Sequence, residues 1–200
     1  NYHVIDGAQQ ISVTLASNDV YPAELIGGDK EHDIAVLKIN APAEVLFPIN
    51  LGASEQLRVG QRVYAVGNPF GWDGTMTTGI VSSLNRNLPS RVDGRQMKSL
   101  IQTDAAMNPG NSGGPLLDGN ARMVGMCVAI ASRTGQNTGI GFAIPIDRIK
   151  SIVPELISHG RIVRADIGRG RSGSHRNCWR KPFYRRHALS SRAESHHCFR

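Results

Sequence analysis

Cysteine is scarce in this chain. Cys127, Cys178 and Cys198 are 3 residues in 200, an odd number at wide spacing. They supply no disulfide framework, which excludes the small stapled scaffolds and leaves the redox compartment open. No apolar run approaches the ~18 residues that a membrane-crossing helix needs, so no transmembrane segment is expected. A chain that begins two residues before its candidate base says nothing of a signal peptide ahead of it. No internal repeat is visible, so a repeat architecture is not expected. Acidic residues are nearly missing from one stretch: residues 161–200 hold 11 Arg or Lys against 2 Asp or Glu, a net of +9, while residues 1–160 hold 12 against 14, a net of −2. The basic character therefore belongs to the C-terminal stretch and not to the body.

What is present suits a globular domain. With 40% hydrophobic residues in 200, the chain can bury one sizeable core or two small ones. Short alternating runs broken by glycine and proline predict strands over residues 11–15, 20–26, 34–39, 62–66, 75–84, 122–130 and 139–144. Many short strands point to an all-β barrel or sandwich. From Ile146 the spacing changes: Ile146, Ile149, Ile152, Val153, Leu156 and Ile157 fall on one helical face and Gly160 is a stop signal. Pro154 is expected to kink that helix or to begin its second half.

The most chemically pointed segment is Asp104-Ala105-Ala106-Met107-Asn108-Pro109-Gly110-Asn111-Ser112-Gly113-Gly114-Pro115. It sets one serine among glycines, where the backbone can bend sharply and present its amides. A serine hydroxyl attacks a carbonyl well when a base takes its proton and N–H groups receive the oxyanion. Gly-x-Ser-x-Gly alone also describes a plain turn, so the partners decide. His3, and Asp33 at the head of the alternating run Ile34-Ala35-Val36-Leu37-Lys38-Ile39, stand upstream in the order His, Asp, Ser. That is the order of chymotrypsin-like proteases. A rival order, Ser112, Asp147, His159, is that of an α/β-hydrolase. It demands a helix straight after the serine, whereas Leu116-Leu117, the turn at Asp118-Gly119-Asn120 and the apolar run from Met123 read as turn and strand.

With those residues in place, the chain resembles the HtrA (Deg) family of serine proteases from residue 1 to about residue 167. The resemblance rests on the serine block and on Asn1-Tyr2-His3-Val4, Asp33-Ile34-Ala35-Val36-Leu37-Lys38, Gly67-Asn68-Pro69-Phe70-Gly71, Thr78-Gly79-Ile80-Val81-Ser82 and Gly139-Ile140-Gly141-Phe142-Ala143-Ile144-Pro145. It implies a chymotrypsin-like double β-barrel with an incomplete first barrel and one C-terminal helix. It also implies an ATP-independent endopeptidase acting on unfolded or damaged proteins in quality control and stress response. His3 would be the general base, Asp33 its orienting partner and Ser112 the nucleophile, with the oxyanion hole at Gly110, Asn111 and Ser112. Ile130, Cys127 and Val128 would line the substrate strand, with Ile130 narrowing the primary pocket to small aliphatic side chains. Cys127-Val128 replaces the usual Asn-Thr of relatives, and Cys127 reads as a small buried hydrophobe rather than a second nucleophile. Residues 87–98 and 131–138 resemble regulatory loops.

The resemblance further implies unfolded-protein or peptide substrates, a homotrimer or a multiple of one in a longer parent, and a bacterial periplasmic or cell-envelope location, with the thylakoid lumen as the alternative. No cofactor is expected. Strands that precede the histidine in relatives are missing, which makes an inert fragment or a chaperone-like binder of unfolded chains the alternative reading. Residues 168–200 read as a basic tail with no PDZ domain. Its arginines, with Trp179, Phe183 and Tyr184, suit an anionic-surface arm or a plain solvated tail. Cys178, His187, His196, His197 and Cys198 match no familiar zinc spacing, so no metal is expected. The composition fits a shifted reading frame best, and no specific nucleic-acid binding is expected.

Overall fold

A computed structural model describes residues 1–68, 74–89, 95–130 and 139–163, with backbone alone at 129 and 130. After a one-turn helix α1 (Tyr2–Ile5), three antiparallel strands, β1 (Ser12–Thr14), β2 (Val20–Asp29) and β3 (Ile34–Ile39), form an open sheet in the order β1-β2-β3. A 3-10 turn (Ala43–Val45) and an extended segment lead to the second half. There β4 (Arg62–Gly67), β5 (Thr75–Pro89), β6 (Gln96–Thr103), β7 (Pro115–Leu117), β8 (Met123–Ile130) and β9 (Gly141–Pro145) close into a barrel in the order β4-β5-β6-β9-β8-β7. Helix α2 (Ile146–His159) follows directly. The expected incomplete first barrel is thus an open three-stranded sheet, and the second is closed.

Alternation explains the barrel. Val63, Ala65, Val81, Ile101, Leu116, Val124, Cys127 and Ala143 point inward and pack with Leu57, Ala105 and Met107 into one core. The opposite faces of β6, β8 and β9 supply Met97, Leu100, Val128, Phe142 and Ile144 to a second core shared with Ile34 of β3 and with Ile152 and Leu156 of α2. The short strand β9 is accordingly buried on both faces. The helix was expected to pack on the barrel; it also packs against β2 and β3. Gly27 makes that contact possible, because a Cβ there would lie 2.6 Å from the Leu156 carbonyl oxygen and 2.8 Å from that of Gly160.

The helix ends as its residues dictate: Gly160 takes φ 71° and its amide returns to the Leu156 carbonyl. The helix continues through Pro154 to His159 without a break. At the other end Asp147 accepts from the Ser54 amide (2.7 Å), the Ser54 hydroxyl (2.8 Å) and the Glu55 amide (3.0 Å), tying the inter-sheet segment to the start of α2. Burial raises the Asp147 pKa, but these bonds and Lys150 outweigh it and the carboxyl lies below its usual range. No helix among the described residues is long and apolar enough to cross a membrane. The tail from residue 164, residues 90–94 of the loop expected at 87–98, and the loop at 131–138 lie outside the described residues; the flanks of the loop expected at 87–98 belong to β5 and β6.

Candidate active site

The site is assembled from three turns. The β2–β3 hairpin closes at the pair Asp29 and Ile34. Asp33, just ahead of β3, takes φ 57°. An L-residue enters this left-handed region at a cost of roughly 1–2 kcal/mol, and aspartate is among those that tolerate it. From there both carboxylate oxygens meet one residue on α1. Oδ1 accepts the His3 backbone N–H at 2.8 Å, and Oδ2 lies 2.7 Å from His3 Nδ1. The Asp33 carbonyl accepts from the Tyr2 amide and from Asn1 Nδ2, each at 3.1 Å.

Burial gives this pairing its chemical meaning. Asp33 is 3% exposed, so an ionised carboxylate there needs every acceptor site used. An ionised carboxylate only accepts, so opposite it Nδ1 of His3 donates, and in the neutral ring that tautomer leaves the lone pair on Nε2. That tautomer is the one a general base requires.

The serine sits in a loop whose course is set by two turns. Asn108-Pro109-Gly110-Asn111 is a β-turn closed by the Asn111 amide on the Asn108 carbonyl (3.0 Å), with Gly110 at φ 103°. Pro followed by a positive-φ Gly is the signature of a type II turn. The next turn closes from the Gly114 amide to the Asn111 carbonyl (3.0 Å), and Gly114 passes so near β4 that a Cβ would lie 2.0 Å from the Val66 carbonyl oxygen. Only glycine fits there. The loop is stapled to β8 by the Gly113 amide on the Cys127 carbonyl and the Cys127 amide on the Gly114 carbonyl, both 2.9 Å.

These turns determine which amides are available. Asn111 is 2% exposed, its own N–H is consumed by the turn, and its Nδ2 reaches the Ala106 carbonyl at 3.4 Å. Among the described residues the amides of Gly110 and Ser112 meet no protein acceptor, and they lie beside the Ser112 hydroxyl along the chain. Ser112 Oγ donates to the Val128 carbonyl at 2.6 Å rather than to His3. The serine loop nonetheless lies against the segment that bears the histidine, since a Cβ on Gly113 would be 3.2 Å from the Asn1 nitrogen.

The remaining expectations can be placed as well. Cys127 is fully buried in the barrel core, and burial pushes its thiol up to about 12, so it is a small hydrophobe without thiolate character. Val128 faces the second core, and its carbonyl is the group that accepts from the Ser112 hydroxyl. Ile130 pairs through its backbone with Gly141, and its side chain lies outside the described atoms. The rival Asp147 and His159 are spent elsewhere, on Ser54 and Ser158, and β7 rather than a helix follows the serine. Among the described residues no group of three His, Cys, Asp or Glu could hold a metal ion. The Val128 carbonyl and the hairpin contacts around Asp33 had no sequence signal, because backbone acceptors and turn geometry leave no residue-type trace.

Comparison with known proteins shows the family. The family model described as trypsin-like peptidase domain matches residues 1–126. Protease Do-like 1, chloroplastic, of Arabidopsis thaliana is 49% identical over 168 residues, covering 84% of this chain and 38% of that protein. A probable periplasmic serine endoprotease DegP-like of Chlamydia trachomatis is 45% identical, covering 84% of this chain and 33% of its own length. The chain thus spans roughly a third to two-fifths of these relatives. Among solved structures, the HtrA-type protease AlgW with a decapeptide superposes with a TM-score of 0.75 at 42% identity, over 82% of this chain and 49% of the other. The crystal structure of Deg5 gives 0.67 at 40% identity, over 81% and 78%.

Proposed function

From the premise that the chain belongs to the trypsin-like peptidase family, with Do-like and HtrA-type proteases among its relatives, we propose that it carries the hydrolytic centre of a serine endopeptidase. The two-point bond between His3 and Asp33 beside the turned serine loop carries this reading. Ser112 Oγ leaves the Val128 carbonyl, gives its proton to His3 Nε2 and attacks the scissile carbonyl carbon. The carbonyl oxygen becomes an oxyanion received by the amides of Gly110 and Ser112. Collapse breaks the C–N bond as His3 passes the proton to the leaving amine, and an acyl-serine remains. Water, deprotonated by the same His3, then hydrolyses the ester and restores Ser112. Asp33 holds the ring and stabilises the imidazolium at each half-reaction.

The chemistry consumes only water, which suits ATP-independent cleavage of extended, unfolded chains. Such a chain would align along β8, its amide taking the Val128 carbonyl once Ser112 has turned. We place Val128 in that strand as the backbone partner and Ile130 as the wall of a shallow aliphatic pocket, while Cys127, whose amide and carbonyl are taken by Gly114 and Gly113, anchors the strand to the serine loop. Valine or alanine before the scissile bond should therefore be preferred over arginine, whose guanidinium would be desolvated without a carboxylate to receive it. The periplasm or cell envelope is the proposed location, with the thylakoid lumen as the alternative, and a homotrimer or a multiple of one is the proposed assembly of the longer parent.

The Ser112–Val128 bond favours one second reading, a centre held inert whose chain binds unfolded polypeptides without cutting them. A fluorophosphonate probe separates the two. Covalent labelling mapped to Ser112, abolished in Ser112→Ala together with casein cleavage, supports the protease. Labelling of another residue, or equal cleavage by Ser112→Ala, overturns it.

A further inference from the structure

A second histidine–aspartate pair stands next to the first. His32 Nδ1 bonds Asp29 Oδ2, and Asp29 Oδ1 accepts the Glu31 amide at 3.1 Å. Asp29 is 7% exposed and His32 only partly so. Together these bonds bridge the β2–β3 connection from the last paired residue of β2 to the residue that precedes Asp33. Asp33 is held there at φ 57°. A non-glycine residue in that region persists only where its surroundings over-determine it. The turn is also docked on α1: Lys30 sits 5.2 Å from the Tyr2 ring centre and 3.7 Å from Asp6, and a Cβ on Gly28 would strike the Tyr2 ring at 2.7 Å. The hairpin tip and the helix that bears His3 therefore form one unit, with the Asp29–His32 bond as its inner brace.

We propose that Asp29 and His32 are positioning residues for the triad, their bond bracing the hairpin so that Asp33 keeps the left-handed conformation from which its carboxylate reaches His3. Neither residue touches the reacting atoms. The inference rests on the protease reading, in that Asp33 must orient a general base for the brace to matter. A shift of around 1 Å at a catalytic group costs on the order of 100-fold in rate, so a slackened turn shows in turnover before it shows in substrate binding.

The test combines kinetics with proton NMR of histidine-labelled full chain. In the unsubstituted chain the Nδ1 protons of both His3 and His32 should be downfield and slow to exchange. His32→Leu removes the donor. It should lower kcat by roughly 10- to 100-fold with KM within about twofold, and broaden or lose the His3 Nδ1 signal. His32→Asn, whose amide can occupy the Nδ1 position and donate to Asp29, should restore both. Unchanged kcat and an unchanged His3 signal in His32→Leu overturn the proposal, as does an equal loss in His32→Asn. Should His32→Leu not fold, the unsubstituted chain still decides, because a His32 Nδ1 proton exchanging as fast as that of an exposed imidazole overturns the brace, and slow exchange matching the His3 proton supports it. If no peptide is cleaved at all, the protease reading fails while the His3 signal across the variants still settles the positioning role.

Discussion

Replacing Asp33 by asparagine probes the centre most sharply, because the substitution keeps shape and removes one acceptor. The side-chain oxygen of the introduced amide can still accept the His3 backbone N–H, which lies 2.8 Å from Oδ1 in the parent, and the main-chain bonds from Tyr2 and Asn1 are untouched. What changes is the atom opposite His3 Nδ1, which is Oδ2 at 2.7 Å in the parent. An amide NH2 there donates, so Nδ1 must accept and the proton moves to Nε2. The nitrogen that should take the serine proton is then already protonated. A wrong tautomer with intact geometry costs about 10⁴-fold in kcat in a Ser-His-Asp protease, or roughly 5.4 kcal/mol of transition-state stabilisation. We expect a loss of that order in kcat/KM on a fluorogenic peptide with valine before the scissile bond, with far-ultraviolet circular dichroism unchanged. The 3% exposure of Asp33 forbids water from substituting for the lost acceptor. A folded Asp33→Asn variant within tenfold of the parent would refute the assignment of Asp33 as the orienting carboxylate.

Other consequences concern stability and reactivity. The Asp118 pKa is raised by burial but lowered more by the Arg122 amide and guanidinium and the Asn120 amide, for a net depression. A depressed carboxyl stabilises above its unfolded pKa near 3.9 and loses that contribution as pH falls through its folded value, so melting temperature should drop below about pH 4.5. Asp118→Asn should flatten that acid limb, and an unaltered limb would contradict the pairing. Leu156→Ala empties a fully buried position between α2 and β2 and should cost about 2–5 kcal/mol by urea titration. Ile157→Ala, at a position 60% exposed, should stay within about 0.5 kcal/mol, and equal costs would mean that the helix face is misassigned. Cys127, buried and with its thiol pushed up to about 12, should resist alkylation at about pH 8 until urea unfolds the barrel, as read by mass mapping of its peptide. Rapid native labelling at Cys127 would show the core to be open.

Much of the architecture is legible in local pattern. Alternation marks β4 and most of β2, because a half-buried strand must put every second side chain inward, while short apolar runs bounded by glycine and turn residues mark β3, β8 and β9. The helical face from Ile146 and the Gly160 stop define α2 for the equivalent reason at a period of 3.6. The Pro-Gly turn and the glycines around Ser112 likewise announce a bent loop that displays a serine. Less legible are β6, where Ser99 at φ 54° interrupts the alternation, and β7, three residues long. β2 also runs through Gly27-Gly28, residues that read as a turn until the end of α2 is seen to lie against them.

Residue order and type make the chemistry available: a histidine, an aspartate and a glycine-framed serine in chymotrypsin-like order, and an apolar pattern for two cores. Tertiary structure alone decided how those groups are used. The left-handed turn at Asp33 puts both of its oxygens on His3. Its neighbours Asp29 and His32, silent as letters, become a brace. Ser112 rests on the Val128 carbonyl, and the turns leave two amides open beside it. These are directional bonds, spanning 2 or 3 positions in the brace, 16 between Ser112 and Val128 and 30 between His3 and Asp33, or matters of backbone torsion, and residue type constrains neither. Hydrophobic period encodes where a side chain faces, whereas the partner of a buried donor is settled only when the distant segments have packed.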